Sequence, residues 1–234
     1  MNENYLPKIL EKINGTVGLS FSYQAEDLVV LDLLQQAKKQ NSKLDIEVFT
    51  LDTGKLFGET DSYHKVLEDH FKISIKRYFP DPKALELIEK EIGDTGMQES
   101  LEKRHKCCGV RKVDVLEKAI IGKSAWLTGM RAAQSVTRTD IQLLEFDEKF
   151  GVFKVNPLYK WSYDEVMAYI KNNALPIHPL YAKGFLSIGC YPCTRAVKTG
   201  EDIRAGRWWW ERADCKECGL HIKEKPAVTT NIVI

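Results

Sequence analysis

Six cysteines hold most of the reactive chemistry in this sequence. Cys107 and Cys108 are adjacent, Cys190 and Cys193 stand in C-x-x-C spacing, and Cys215 and Cys218 repeat that spacing near the C-terminus. Spacing alone leaves two assignments open. The last four cysteines read as C-x2-C-x21-C-x2-C, close to a structural zinc ribbon. The other assignment takes Cys107, Cys108, Cys190 and Cys193 as one four-thiolate set. Adjacent cysteines are awkward ligands for a single tetrahedral ion. An iron–sulfur cube offers several irons, so neighbouring thiolates can bind different corners. Lys106, Arg111 and Lys112 flank the adjacent pair, and a thiolate-ligated cluster carries net negative charge.

A second chemistry is anion recognition. The stretch 20-SFSYQAED-27 offers two hydroxyls, Ser20 and Ser22, before a helix start, a cradle suited to phosphate or sulfate. It lacks the glycines of a Walker loop. The turn 51-LDTG-54 gives close backbone access. The loop 129-GMRAAQSVTRTD-140 carries Arg131 and Arg138, and 203-IRAGRWWWER-212 carries Arg204 and Arg207. A guanidinium pairs with phosphate in a fork geometry. Trp208, Trp209 and Trp210 read as apolar anchors of the tail.

The surrounding pattern positions these groups. Residues 16–22, 44–51 and 73–79 read as strands, and 26–39 and 57–71 as helices, the first amphipathic. Strands alternating with helices imply β-α-β units and a parallel sheet, whose ligands bind at the carboxyl ends of the strands. Residues 82–121 read as helical and 124–129 as a short strand; 141–146 and 151–155 read as a hairpin. Ser162 and Glu165 form a capping box opening a helix to about Asn173. Residues 182–234, rich in Gly, Cys, Trp and charge, read as irregular.

The 234 residues suit one large domain, and the 44% apolar content fits a globular chain. A net charge of +1 excludes wholesale nucleic-acid binding by charge. No run approaches the roughly 18 apolar residues of a membrane span, and residues 1–15 do not read as a signal peptide. A cytoplasmic location is the expectation, and there six cysteines point to metal or thiol chemistry rather than cross-links. His64, His70, His105 and His178 show no metal-ligand spacing.

The ordered set 20-SFSYQAED-27, 51-LDTG-54, 107-CCGVRK-112, the arginine loop, 189-GCYPCTR-195, 200-GEDIRAGRWWWE-211 and 217-ECGLH-221 resembles the sulfonucleotide (APS/PAPS) reductase family over residues 17–221. Within it, the resemblance is to the assimilatory, iron–sulfur branch that uses adenosine 5′-phosphosulfate (APS). The resemblance implies an α/β fold like the adenine-nucleotide α-hydrolases (PP-loop-like): a mostly parallel sheet flanked by helices. Residues 1–181 would be the nucleotide-binding domain. Residues 182–234 would be an irregular Cys-rich segment within the same unit. It implies a [4Fe-4S] cluster on Cys107, Cys108, Cys190 and Cys193 and a nucleophile at Cys218.

The implied reaction is reduction of APS to sulfite and AMP for cysteine biosynthesis. Cys218 would form an S-sulfonate that thioredoxin releases, in a homo-oligomeric enzyme. Ser20, Ser22, Leu51, Asp52, Thr53, Gly54, Lys112, Arg131, Arg138, Arg204 and Arg207 would bind substrate. Lys216 and His221 are cations that could lower the Cys218 pKa. Two departures stand out. The loop reads 131-RAAQS-135, where the family often carries a second basic residue. Cys215 stands where the family does not normally have cysteine, and its spacing suits a resolving thiol. Rival readings are a PAPS reductase, a PP-loop tRNA-modifying enzyme and a zinc-ribbon binding module.

Overall fold

The computed structural model describes residues 5–135, 138, 140–212, 215–216 and 220. Six strands form one sheet: β1 (Val17–Ser20), β2 (Ile46–Leu51), β3 (Ile75–Tyr78), β4 (Ala125–Leu127), β5 (Leu144–Asp147) and β6 (Val152–Val155). Their order is β3-β2-β1-β4-β6-β5, all neighbours parallel except the β5–β6 hairpin. β1 and β4 are central, and both are apolar on the two faces that helices cover.

Residues of one strand alternate between two cores, as the period of two requires. Val48, Ala125 and Leu127 face the larger core. There they meet α1 (Leu6–Leu10), α2 (Ala25–Gln40), α3 (Gly58–Phe71) and α7 (Tyr163–Asn172). Phe49 and Trp126 face the smaller core under α6 (Asp114–Ile120). Two further helices, α4 (Pro82–Ile92) and α5 (Leu101–Cys108), belong to a third apolar cluster with Cys107, Cys190, Cys193 and Trp208.

Two local findings refine the sequence reading. α7 carries both halves of the capping box: Glu165 N donates to Ser162 Oγ at 3.2 Å and Ser162 N to Glu165 Oε2 at 2.8 Å. α2 is enclosed rather than amphipathic in its first two turns. Residues 25–31 are all buried, Glu26 and Asp27 included. The acids that looked like ordinary helix-start residues therefore face the interior and need partners there.

His178 is wholly buried and caps a short 3-10 helix, Pro179–Lys183. Its Nδ1 accepts from Leu180 N at 3.2 Å, so its Nε2 carries the hydrogen and donates to Thr60 Oγ1, also at 3.2 Å. Tyr181 of that helix accepts from Ala25 N at 2.8 Å, fixing the start of α2. Burial pushes the His178 pKa down to about 4. The fold therefore keeps it neutral where the unfolded chain, with pKa 6.5, binds a proton. Its stabilisation is complete above pH 6.5 and is lost as pH falls toward 4. Unfolding titrations should show a loss on the order of 3 kcal/mol across that window through this site. His178→Gln should flatten the slope.

Candidate active site

The chain moves outward from β1 to β2 and β3, then returns to place β4 on the other side of β1. That reversal is a topological switch point, and a cleft lies at its carboxyl edge. The strand-end loops supply Ser20, Ser22, Leu51, Thr53, Thr128 and Gly129, and the arginine loop supplies Gln134 and Arg138. The C-terminal segment closes it with Ile188, Cys190, Arg204, Arg207, Trp208 and Leu220. Lys112 also reaches in. The cleft thus gathers four cations, Lys112, Arg138, Arg204 and Arg207, from three separate stretches of sequence.

Asp27 joins two of the loops. Its Oδ2 accepts from Ser22 N at 2.7 Å and from Ser22 Oγ at 2.5 Å, and its Oδ1 accepts from Gly129 N at 3.1 Å. The Ser22 hydroxyl proton is therefore given to Asp27. Burial pushes Asp27 up to about 6, against the lowering pull of these Ser22 bonds. Gly129 must be glycine, since a Cβ there would lie 2.5 Å from Asp27 Oδ1 and 2.7 Å from Glu26 Cβ. Tyr23 holds φ 64° in the same turn, a costly conformation for a side chain of its size. Its hydroxyl, 2.8 Å from His64 Nδ1, helps to hold it there.

Not every expected residue faces the cleft. Asp52 and Gly54 form the turn after β2: Gly54, at φ 69°, donates to Asp52 Oδ1 at 3.0 Å, and Asp52 pairs with Arg77 at 3.2 Å. Arg131 is buried and does not line the cleft. Its Nε and Nη2 donate to Glu26 Oε1 at 3.0 and 2.8 Å, and its Nη1 to the Trp161 carbonyl. Gln134 donates to the same Glu26 oxygen at 2.8 Å. Arg131 thus answers the charge of Glu26. Glu26, Asp27 and Gly129 escaped the sequence reading as site residues; a pair of acids beside an expected anion cradle was the available signal.

A second, smaller cavity adjoins the first. Cys107, Cys108, Cys190 and Cys193 all line it, with Lys55, Arg104, Arg111 and Lys112; Cys215 does not. Lys112 and Cys190 line both cavities. Five residues after α5, Gly109–Val113, form a π-helical turn that carries Arg111 and Lys112. Such turns are rare and often sit at functional sites. Thr53 Oγ1 lies 3.2 Å from Cys190 Sγ. Arg111 is spent on the Thr53 carbonyl at 2.6 Å and on Glu89 at 2.5 Å.

Burial pushes the Cys193 thiol up to about 11, against the pull of Lys112 and Arg207, and it pushes Cys107 up against Arg111. Thiolates held here therefore need strong positive charge beside them. Among the described residues, the buried Arg111 Nε and Trp208 Nε1 donate to no N or O acceptor. Four thiols in one apolar pocket with nearby unmatched donors are a donor set that fits an iron–sulfur cluster, whose sulfurs accept weak hydrogen bonds. Among the described residues, no three His, Cys, Asp or Glu side chains are spaced to share a single metal ion.

Cys218 lies outside the described residues. Of its described sequence neighbours, Leu220 lines the cleft, and the Lys216 carbonyl accepts at 3.2 Å from Nη2 of Arg204, which lines it too. Of the three tryptophans, Trp208 is buried, whereas Trp209 is 40% exposed and so anchors little.

Sheet order, switch-point cleft and helical layers define a doubly wound α/β protein with a mostly parallel sheet flanked by helices, the fold that the resemblance implied. Residues 16–196 match the family described as the phosphoadenosine phosphosulfate reductase domain, and the chain belongs to that family. It is 46% identical to an adenosine 5′-phosphosulfate reductase from Allochromatium vinosum, over 94% of this chain and 83% of that one. Among solved structures it is similar to a PAPS reductase from Candida auris in a phosphate complex. That match has TM-score 0.64 and 24% identity, and covers 80% of this chain and 86% of that one. It is also similar to yeast FAD synthetase in complex with FAD, at TM-score 0.58 and 16% identity, covering 82% and 63%. Both likenesses bear on the fold.

Because Arg131 balances Glu26 rather than lining the cleft, Arg131→Ala should act on stability. Leaving Glu26 buried without a counter-charge should cost about 3–5 kcal/mol in urea unfolding. Adding Glu26→Gln should recover part of that loss.

Proposed function

We propose that the chain reduces adenosine 5′-phosphosulfate to sulfite and AMP in assimilatory sulfate reduction. The observation that carries the reading is the shared wall. One cleft with four cations and one four-thiol cavity meet at Lys112 and Cys190. The 46% identity to a protein named adenosine 5′-phosphosulfate reductase supports it.

In this reading the cleft takes the nucleotide, and Lys112, Arg138, Arg204 and Arg207 answer the charge of the phosphate and sulfate. The Cys218 thiolate attacks sulfur, the S–O bond to the phosphate breaks, and AMP leaves, giving a Cys218 S-sulfonate. A dithiol such as thioredoxin then attacks the sulfonate-bearing cysteine sulfur. Sulfite departs with the electron pair, and the donor's second thiol then attacks the resulting mixed disulfide, so that the donor leaves as a disulfide and the Cys218 thiolate is restored. Attack adds negative charge beside an anhydride that already carries it, so fixed cations lower the barrier. Burial, with Arg195 nearby, holds the Lys216 ammonium below the usual lysine range, two residues before Cys218.

Cys107, Cys108, Cys190 and Cys193 would hold a [4Fe-4S] cluster. When bound, it would join the two chain segments these cysteines come from and supply a fixed charge, while the thiols of the donor supply both electrons. The adjacent cysteine pair favours APS over PAPS, because the resemblance implied by that pair is to the iron–sulfur branch that uses APS. The zinc-ribbon alternative needs Cys190 and Cys193 to join Cys215, which lies off their cavity. A homo-oligomer in the cytoplasm is part of the reading. Among the described residues, no helix is long and apolar enough to cross a membrane.

Anaerobically purified protein should be brown and should convert APS, with a dithiol donor, to sulfite and AMP faster than PAPS. Cys218→Ser should abolish turnover. Lys112→Ala should keep its iron and lose about 10²-fold in turnover. Parent-like kinetics for Lys112→Ala would remove the electrostatic role.

Cys215 supplies a second step in the same reading. Its thiol attacks Cys218 of the S-sulfonate, sulfite leaves, and a Cys215–Cys218 disulfide remains for the external dithiol. Stoichiometric APS without reductant should then release sulfite from the parent, whereas Cys215→Ser should accumulate S-sulfonate by mass. No sulfite from the parent would mean that Cys215 is a bystander.

A further inference from the structure

We infer that Arg104 is a positioning residue that ties the segment leading to Cys218 onto the helix bearing Cys107 and Cys108. The inference rests on the reading of Cys218 as the nucleophile. Arg104 lies on α5 one turn before the thiol pair and lines the thiol cavity. Its side chain is wholly buried.

Three parts of the C-terminal segment converge on this one guanidinium. Nε donates to Glu211 Oε1 at 2.5 Å, and Nη2 donates to the Cys215 carbonyl at 2.9 Å. The guanidinium carbon stands 4.5 Å from the Trp208 ring centroid. Trp208 in turn packs in the cluster containing Cys107, Cys190 and Cys193. It holds φ 41°, a strained backbone that persists only where its surroundings impose it.

The contacts are mutually dependent. Glu211 Oε2 is buried and meets no donor among the described residues, so Arg104 is the ion-pair partner of that carboxylate. Glu211 itself does not line the thiol cavity. A lysine cannot replace Arg104, because one ammonium lacks the planar fork that meets a carboxylate, a carbonyl and an indole face together.

The functional consequence follows from chain length. Three residues span at most about 11 Å, so fixing Cys215 confines Cys218 to that radius. Arg104 thereby couples the thiol cavity to the position of the nucleophile. This is distinct from holding substrate, since Arg104 does not line the substrate cleft.

The test compares the Cys215→Ser parent, which keeps the backbone carbonyl at that position and lets S-sulfonate accumulate, with the same protein carrying Arg104→Lys or Glu211→Gln, all purified anaerobically. Four quantities are read: iron content, AMP binding, single-turnover S-sulfonate formation by mass, and deuterium uptake of the 208–216 peptide. We expect at least one variant to keep iron and AMP binding within about twofold of the parent. That variant should form S-sulfonate at least tenfold more slowly and exchange the peptide at least tenfold faster. Glu211→Gln carries the test if Arg104→Lys loses iron. Unchanged S-sulfonate rates, or unchanged exchange, in an iron-replete variant overturn the inference, as does loss of iron in both. If the Cys215→Ser parent forms no S-sulfonate, the reading of Cys218 has failed, and the exchange arm alone decides the tether.

Discussion

Two adjacent thiols on one helix, surrounded by cations of the same helix, are the constraint on which the site depends. Cys107 and Cys108 are buried at the end of α5, where thiolate is unfavourable without positive charge. Arg104, Arg111 and Lys112 stand three to five residues away, within one turn or so of the pair. Each reaches a different part of the molecule. Arg104 holds the C-terminal segment, Arg111 holds the turn after β2 through the Thr53 carbonyl, and Lys112 lies where the two cavities meet. One helix thus fixes the tail, the nucleotide loop and the wall between two chemistries.

Charge in the substrate cleft is balanced by a division of labour. Arg131 and Gln134 answer Glu26, and Asp27 is met by three donors from two loops. The acids at the start of α2 are therefore matched inside the protein and leave Lys112, Arg138, Arg204 and Arg207 as the cationic lining. Both acids line the cleft, and without these partners they would repel a doubly anionic nucleotide. The buried pair serves instead to set the distance between the loops after β1 and β4.

Much of the fold was legible because it rests on local rules. The period-two strands, the Ser162–Glu165 capping box and the β5–β6 hairpin each follow from short-range pattern. The cysteines that line one cavity were legible as a set, although spacing alone did not separate a cluster from a ribbon. What stayed hidden depends on partners far away in sequence. Arg131 looked like a ligand because its partner Glu26 lies 105 residues earlier. Asp27 looked like a helix-start acid because Gly129, which it meets, lies 102 residues later. Arg104 gave no signal at all, since its role appears only when residues 208–215 fold back onto α5.

The π-helical turn at Gly109–Val113 bears on how such a chain can change through evolution. Deleting one residue there would restore the ordinary α-helical ladder and rotate everything beyond it by about 100°. Lys112 would leave the wall between the cavities, and the apolar stripe of α6, Leu116, Ala119 and Ile120, would turn off Phe49 and Trp126. Catalytic geometry and the second core are thus tied to the same residue count. Substitutions in this stretch can be tested one at a time by selection, but length changes cannot. Across descendants of this chain, the spacing between the cysteine pair and α6 should drift far less than the amino acids that fill it.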